Sequence, residues 1–273
     1  MMGWTARRVG LAILVAMIFA ACASTTEQGT VGVQRSQLLL VSSDQVDKAA
    51  TLQYEQVLQT ERPKGNVNRD PKQVERVRGI AKRLIPQTAV FRKDALEWQW
   101  EVNVLTSSQV NAWCMPGGKI AVYTGLIEKL QITDDELAAV MGHEISHALR
   151  EHGRERASQE LAASTGASLV GAVLGVGQSG TDLAAVIGQV TYVLPYSRIH
   201  ETEADRMGVE LAARAGYDPR AAIVLWQKMA KLSSSGAPPA LLSTHPSDED
   251  RIKDLAEYSQ KVLPLYEQAK AKG

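Results

Sequence analysis

His143-Glu144-Ile145-Ser146-His147 sets two imidazoles four residues apart, with a carboxylate directly after the first. On an α-helix a four-residue step turns about 400°, so both rings leave one face, one turn apart. Placed in this way they can fill two corners of a tetrahedral zinc site. Glu144 lies about 100° around the helix, too far to be the natural third ligand but close enough to reach a metal-bound water. Metal, water and base are the parts of a zinc hydrolase. The chain has only 5 histidines in 273 residues, so the pattern is rare by chance. The competing reading is a surface helix with two unrelated histidines. What decides is whether the helix exists and whether a third ligand follows it.

The helix is well signalled. Thr133-Asp134-Asp135-Glu136 is a capping box, and its acids suit the positive end of the helix dipole. Leu137, Val140, Met141, Ile145 and Leu149 supply the buried stripe. For the third ligand, zinc with two histidines commonly takes a carboxylate and leaves one position for water. Glu201 and Asp205 are four apart on one predicted helix, Tyr196 to Ala215, and share a face, whereas Glu203 should point away. Glu201 is the better ligand, and Asp205 can orient an imidazole through its other nitrogen. A solvated acidic face remains the alternative for all three. His152, about 140° around from His147 on a continued helix, reads as solvated.

The remaining elements are helices at both ends of a pair of strands. Gln37 to Gln59 has helical spacing of apolar residues, and Asp70-Pro71 starts a second helix that Pro86 ends. Trp98 to Leu105 alternates as a half-buried strand. Pro116-Gly117-Gly118 turns the chain into a second strand, Lys119 to Thr124. Leu161 to Leu194 is rich in Ala, Gly, Ser and Val but broken by glycines. It reads as two small-residue helices, with a membrane-inserting hairpin as the alternative. Gly216 closes the Tyr196–Ala215 helix, Asp218-Pro219 opens the next, and the last helix starts near Asp248, with Pro264 expected to end or kink it.

Composition is that of a globular chain: 45% hydrophobic, 22% charged and a net charge of zero, which argues against a nucleic-acid binder. The two cysteines read differently. Cys114 has no activating neighbour and reads as a small apolar filler. Cys22 closes a leader: Arg7 and Arg8, an apolar run from Val9, then Phe19-Ala20-Ala21-Cys22. That is a secretory signal peptide, and the run is short for a membrane span. The ending resembles a bacterial lipobox in which Cys22 is lipidated, although Phe19 stands where Leu is usual. An ordinary signal peptide is the alternative. Without the leader the chain keeps 28 basic and 30 acidic residues, a charge of −2. A lipidated Cys22 anchors the chain to a membrane without spanning it. The absence of Asp after Cys22 favours, by resemblance to Gram-negative lipoproteins, export to the outer membrane. The expected organisation is therefore a signal peptide over 1–21, a flexible tether over 22–36 and one domain over 37–273, which the resemblance described next implies to be a metallopeptidase domain.

His143-Glu144-x-x-His147, Glu201-x-x-Ala204-Asp205 and Ser243-Thr244-His245-Pro246 together resemble the metallopeptidase family that holds the CAAX prenyl protease, HtpX and the periplasmic proteases BepA and LoiP. Asn111-Ala112-Trp113, Pro116-Gly117-Gly118 and Val122-Tyr123-Thr124-Gly125 also look like that family's strand before the metal helix. The likeness covers roughly residues 70 to 260 and is nearest to lipoprotein members. It implies an α+β, mainly helical zincin-type domain with a small sheet whose edge strand precedes the metal helix. It also implies one zinc per chain held by His143, His147 and Glu201, Glu144 as base, and Asp205 behind a ligand. His245 is implied at the metal, as an oxyanion donor or in the open position of a latent site. The substrate is expected to lie extended along Lys119, Ile120, Ala121, Val122 and Tyr123, adding its backbone to the sheet edge. That backbone reading fits misfolded envelope proteins as substrates; outer-membrane assembly machinery is a further partner that the resemblance implies. A lipid-anchored assembly factor or chaperone with a latent zinc site, and a membrane-embedded protease, are the alternatives.

Overall fold

The computed structural model describes residues 22–164, 180–234, 239–246 and 249–272. The expected signal peptide over 1–21, residues 165–179 of the Leu161–Leu194 stretch, residues 235–238 and 247–248 and Gly273 lie outside them. Among the described residues, no helix is long and apolar enough to cross a membrane.

Helices dominate, and local chemistry explains most of their ends. Helix α1 (Ser43–Glu61) begins with a reciprocal capping box between Ser42 and Gln45. Helix α2 (Pro71–Leu84) begins with Asp70 accepting from the amides of Lys72 and Gln73, and with proline at the first position. After two short strands, β1 (Cys22–Ala23) and β2 (Gln37–Leu38), the expected alternating strand is shorter than its pattern. β3 spans Glu101–Leu105, because Lys93–Glu97 forms a 3-10 turn and the Trp98 and Trp100 rings pack on each other at 5.4 Å. β4 (Ala112–Met115) and β5 (Lys119–Tyr123) are joined by the Pro116-Gly117-Gly118 turn, whose two glycines have φ of 74° and 81°. A Cβ on Gly118 would sit 2.7 Å from the Trp100 ring, so only glycine fits there.

The sheet order corrects one expectation. β5 lies in the middle, parallel to β3 and antiparallel to β4. Lys119, Ile120, Ala121, Val122 and Tyr123 therefore have both backbone sides engaged and cannot take an added strand. The edge strand next to the metal helix is β4, which packs on it. Alternation alone gives the face of a residue and says nothing of which strands flank it.

Helix α3 (Thr124–Leu130) leads to the metal helix α4 (Asp134–Leu149), where Thr133 and Glu136 form the expected capping box. Helix α5 (His152–Ser164) follows after a sharp turn. Helix α6 (Gly180–Gly188) runs into a π-helical turn over Gln189–Val193. Helix α7 (Arg198–Arg214) starts at the Ser197 cap and closes at Gly216, φ 76°. Helices α8 (Ala221–Ser234), α9 (Ala240–Thr244) and α10 (Glu249–Lys272) complete the chain. Helix α10 runs through Pro264 rather than ending there, with Leu265 and Tyr266 beyond it packed against the core.

Two apolar clusters hold these elements. The larger joins α2, the sheet, α4, α7 and α8; the smaller joins α1, the opposite face of the sheet and α6. Residues 22–36, expected as a tether, are instead packed. Val31 and Val33 are buried, the amides of Thr30 and Val31 donate to Glu210, and Cys22–Ala23 pairs with Gln37–Leu38 as a two-strand ribbon. A stretch of Ser, Thr and Gly gives no sign of such partners, which lie on α7 nearly two hundred residues away.

Candidate metal centre

α4 and α7 bring the chemistry together. They cross at Gly142 and Gly208, so closely that a Cβ on either would stand 2.8 Å from the other helix's backbone. This contact sets His143 and His147 opposite Glu201 and Asp205. His245, at the end of α9, enters from a third side, placed by its own amide donating to the Leu241 carbonyl at 2.8 Å.

Four side chains converge. Ligand atoms of His143, His147, Glu201 and His245 all lie within 4.8 Å of one another. His143 Nε2 is 3.1 Å from His147 Nε2 and 3.2 Å from His245 Nδ1. Glu201 Oε1 is 2.9 Å from His245 Nδ1 and 3.4 Å from His147 Nε2. A tetrahedral zinc with bonds of about 2.0–2.1 Å needs donor separations of about 3.4 Å. The donor set is three imidazoles and a carboxylate, the chemistry zinc prefers, and all four residues are buried. Glu201 turns Oε1 toward the imidazoles, while its Oε2 is paired with the Arg251 guanidinium at 2.7 Å. The residues present thus fit a zinc ion.

Supports behind the ligands are as specific. His143 Nδ1 meets Asp205 Oδ1 at 2.9 Å. Arg251, fully enclosed, reaches Asp205 at 2.6 and 2.9 Å, Glu201 Oε2 at 2.7 Å and the Pro246 carbonyl at 3.1 Å, while stacking on Trp226. One guanidinium therefore holds a ligand, the partner of another ligand and the loop that carries His245. Tyr196 lies over the rings of His147 and His245, at 4.0 and 5.3 Å, with its amide on the Thr244 carbonyl. Neither Arg251 nor Tyr196 carried a sequence signal: one is a single cation among 30, the other a single tyrosine among 7.

Electrostatics follow from burial and neighbours. Burial pushes His147 well below its ordinary value, so the ring is neutral and its lone pair free for a metal. Burial raises Glu201 and Asp205, but the charges of His245 and Arg251 on the first, and of Arg251 with the His143 bond on the second, outweigh it and hold both ionised. Burial lowers His245, and the carboxylates of Glu201 and Glu144 on its two sides outweigh that. Glu144 is raised, chiefly by burial. Its Oε1 has no hydrogen-bond partner and lies 3.5 Å from His245 Nε2. A buried carboxylate with a raised value and an open oxygen is suited to take a proton. The cavity beside it, lined by His143, Glu144, Asp205 and Trp226 among others, has a volume of about 10 Å³. That is room for about one water and no substrate.

One expectation fails here. His152 is buried, not solvated, and bonds at 3.0 Å to Glu203, which points away from Glu201 as expected and is buried as well. The angular argument assumed one continuous helix past His147, but the chain breaks at Arg150 and Glu151, the latter at φ 51°. Cys114 is buried as a filler should be, its thiol raised well above the ordinary value by burial and by the charge of Glu144.

The model of peptidase family M48 matches residues 71–259. The chain belongs to peptidase family M48. Its relatives include the mitochondrial metalloendopeptidase OMA1 of Bos taurus, 32% identical over 246 residues, which covers 85% of this chain and 46% of that protein. OMA1 of Arabidopsis thaliana is 39% identical over 175 residues, 63% of this chain and 34% of that one. The beta-barrel assembly-enhancing protease of Escherichia coli is 28% identical over 175 residues, 61% of this chain and 36% of that one. The chain spans about a third to a half of the length of these relatives. The M48 match runs from α2 into the first half of α10, so every residue of the metal centre falls inside it. Zinc is the metal of this family, as the donor set requires.

Proposed function

We propose that this M48 chain is a zinc-dependent endopeptidase, anchored to a bacterial envelope membrane through Cys22, that cuts unfolded or misassembled envelope proteins. The observation that carries the peptidase reading is Glu144: buried, raised and open at Oε1 beside the donor set. A structural zinc site has no use for such a base. His143, His147 and Glu201 would hold the ion, which when bound supplies a Lewis acid that polarises the scissile carbonyl and acidifies water. Glu144 then accepts the proton of the attacking water and returns it to the leaving amine. Asp205 and Arg251 keep the ligands in orientation during this exchange.

Substrate is expected on β4 rather than β5. In the register Ala112↔Val122 and Cys114↔Ile120, with Tyr123 donating to the Asn111 carbonyl, the backbone groups of Ala112 and Cys114 point away from β5. The Ala112 amide is held by the Asn111 side chain at 3.0 Å. An extended peptide could pair there by backbone alone, with loose sequence selectivity. This supports disordered polypeptide as the substrate class. The similarity to a beta-barrel assembly-enhancing protease supports an envelope setting with outer-membrane assembly machinery as neighbour.

The enclosed geometry favours a second feature of this reading, a latent resting state. His245 Nδ1 stands at the fourth corner of the donor set, where water must enter, and Tyr196 covers it. Zinc content and casein cleavage of the parent and Glu144→Gln test the base. Cleavage should fall by about 10²–10⁴ with zinc unchanged, and full activity with zinc bound would overturn the assignment. Detergent-phase partition of the parent and Cys22→Ser tests the anchor.

A further inference from the structure

His147 has two ring nitrogens, and they face different partners. Nε2 belongs to the donor cluster. Nδ1 lies 2.8 Å from Nδ1 of His152, and Nε2 of His152 lies 3.0 Å from Glu203 Oε2. A ring that gives a lone pair to a metal through Nε2 carries its proton on Nδ1. That proton can only be donated to His152 Nδ1, which must then be a bare acceptor. The His152 proton therefore sits on Nε2 and is donated to Glu203. Each tautomer follows from the one before it.

Glu203 is in turn fixed on both oxygens. Arg150 Nη2 reaches Oε1 at 3.1 Å, and Arg35 reaches Oε1 and Oε2 at 3.1 Å each. Arg35 also forms a two-pronged pair with Glu155, at 2.6 and 2.8 Å, and Gln37 donates to the Arg150 carbonyl and to Glu155. Arg35 and Gln37 lie on the packed N-terminal segment. The break at Arg150-Glu151 folds α5 back so that its first residue, His152, meets His147 in the last turn of α4. His143 is supported differently, directly by the Asp205 carboxylate.

We propose that His152 is a positioning residue for the zinc ligand His147, and that Arg35 of the N-terminal segment locks this relay through Glu203. The segment just after Cys22 is thereby part of the metal site. This rests on His147 as a zinc ligand. Partners that orient metal-bound histidines typically change metal affinity by about 10–100-fold when removed.

The test is the zinc dissociation constant of the full chain, read by competition with a chromogenic chelator, with folding checked by circular dichroism. His152→Leu keeps bulk but no acceptor and should weaken zinc by about 10–100-fold. His152→Asn restores an acceptor for His147 Nδ1 and should recover most of that loss. A residue that only fills space would be served at least as well by Leu, so equal affinity of the two variants overturns the relay. Arg35→Met changes a half-exposed side chain and should weaken zinc severalfold; an unchanged constant overturns the role of the segment, including where His152→Leu fails to fold. His147→Ala separates the two layers. If it loses zinc while folded His152→Leu keeps parental affinity, the relay fails alone; if it retains parental affinity, the ligand assignment itself fails.

Discussion

The crossing of α4 and α7 gives a quantitative prediction, because two opposed effects meet at one atom. Gly208→Ala adds a Cβ that would stand 2.8 Å from the His143 amide nitrogen and 3.0 Å from its Cα. Ordinary contact begins at 3.4 Å, so the helices must part by about 0.6 Å at that point. The neighbours are backbone and cannot rotate away. Alanine in a helix gains up to about 1 kcal/mol over glycine, whereas forcing a methyl group into a packed interface costs about 1–3 kcal/mol. The net expectation is a loss of about 1 kcal/mol. The metal suffers more than the fold. His143 and Glu201 stand on opposite sides of this contact, and zinc coordination tolerates shifts of only about 0.2 Å. Zinc affinity should therefore fall at least tenfold. Gly79→Ala is the control: it lies exposed on α2 with nothing within 4 Å of its Cβ, so propensity alone should stabilise it by about 0.5–1 kcal/mol. Urea unfolding of the apo proteins and chelator competition for zinc measure both quantities. A Gly208→Ala protein as stable as Gly79→Ala, with parental zinc affinity, would refute the argument that this contact sets the ligand spacing.

Three further outcomes are expected. His245→Ala opens the fourth corner, so casein cleavage should rise if His245 is the latch; a large loss would assign it to the oxyanion instead, and no change removes both roles. Zinc should stabilise the fold by about 2.7 kcal/mol when the free ion is at 100 times its dissociation constant, and thermal unfolding with and without a chelator reads this shift; a chelator-independent midpoint contradicts a zinc held by the buried set. Asp47, raised to about 6 by burial and by the charge of Glu151, with Asp44 adding and Arg92 and Arg154 opposing, gives a pH signature away from the metal. Its folded value lies above its unfolded one, so its contribution is full below about pH 4 and is lost as pH rises through about 6. Asp47→Asn should accordingly gain about 1 kcal/mol at pH 8, a figure discounted for its partial exposure, and nothing at pH 3.5. A gain that persists at the acid end would point to another cause.

The parts of the site legible in the sequence are those that one element carries within itself. His143 and His147 share a face because a helix repeats every four residues, and Thr133 with Glu136 made that helix credible before any contact was known. Glu201 and Asp205 obey the same rule, and α7 puts them where the rule says. The illegible parts depend on a break or on a distant partner. Extending α4 through Arg150 turns His152 into a surface residue, whereas a left-handed Glu151, a residue type that gives no warning of such a turn, makes it the neighbour of His147. Glu203 pointed away from Glu201 as its angle required, but toward Arg35 and His152 rather than toward water. The alternation of β5 fixes its two faces and leaves its two sides open; the parallel pairing with β3 and the antiparallel pairing with β4 close both.

The same distinction explains why the resting state could not be read from the chain. His245 offers one nitrogen to the donor set and the other to Glu144, at 3.5 Å, so both the latch and the oxyanion role use the same ring. What separates them is access. With His143, Glu144, His147, Glu201 and His245 all buried and only about 10 Å³ free beside the base, a peptide cannot enter until something moves. Arg251 limits what that can be. It binds the His245 and Pro246 carbonyls and, with the same guanidinium, Asp205 and Glu201. Moving the His245 loop with Arg251 attached would pull two carboxylates from the ligand side of α7, each bond charge-assisted and buried. Opening is therefore expected to shift His245 and Tyr196 while Arg251, on α10, stays paired with Asp205 and Glu201 of α7 and releases the two loop carbonyls, its longer contacts at 3.4 and 3.1 Å.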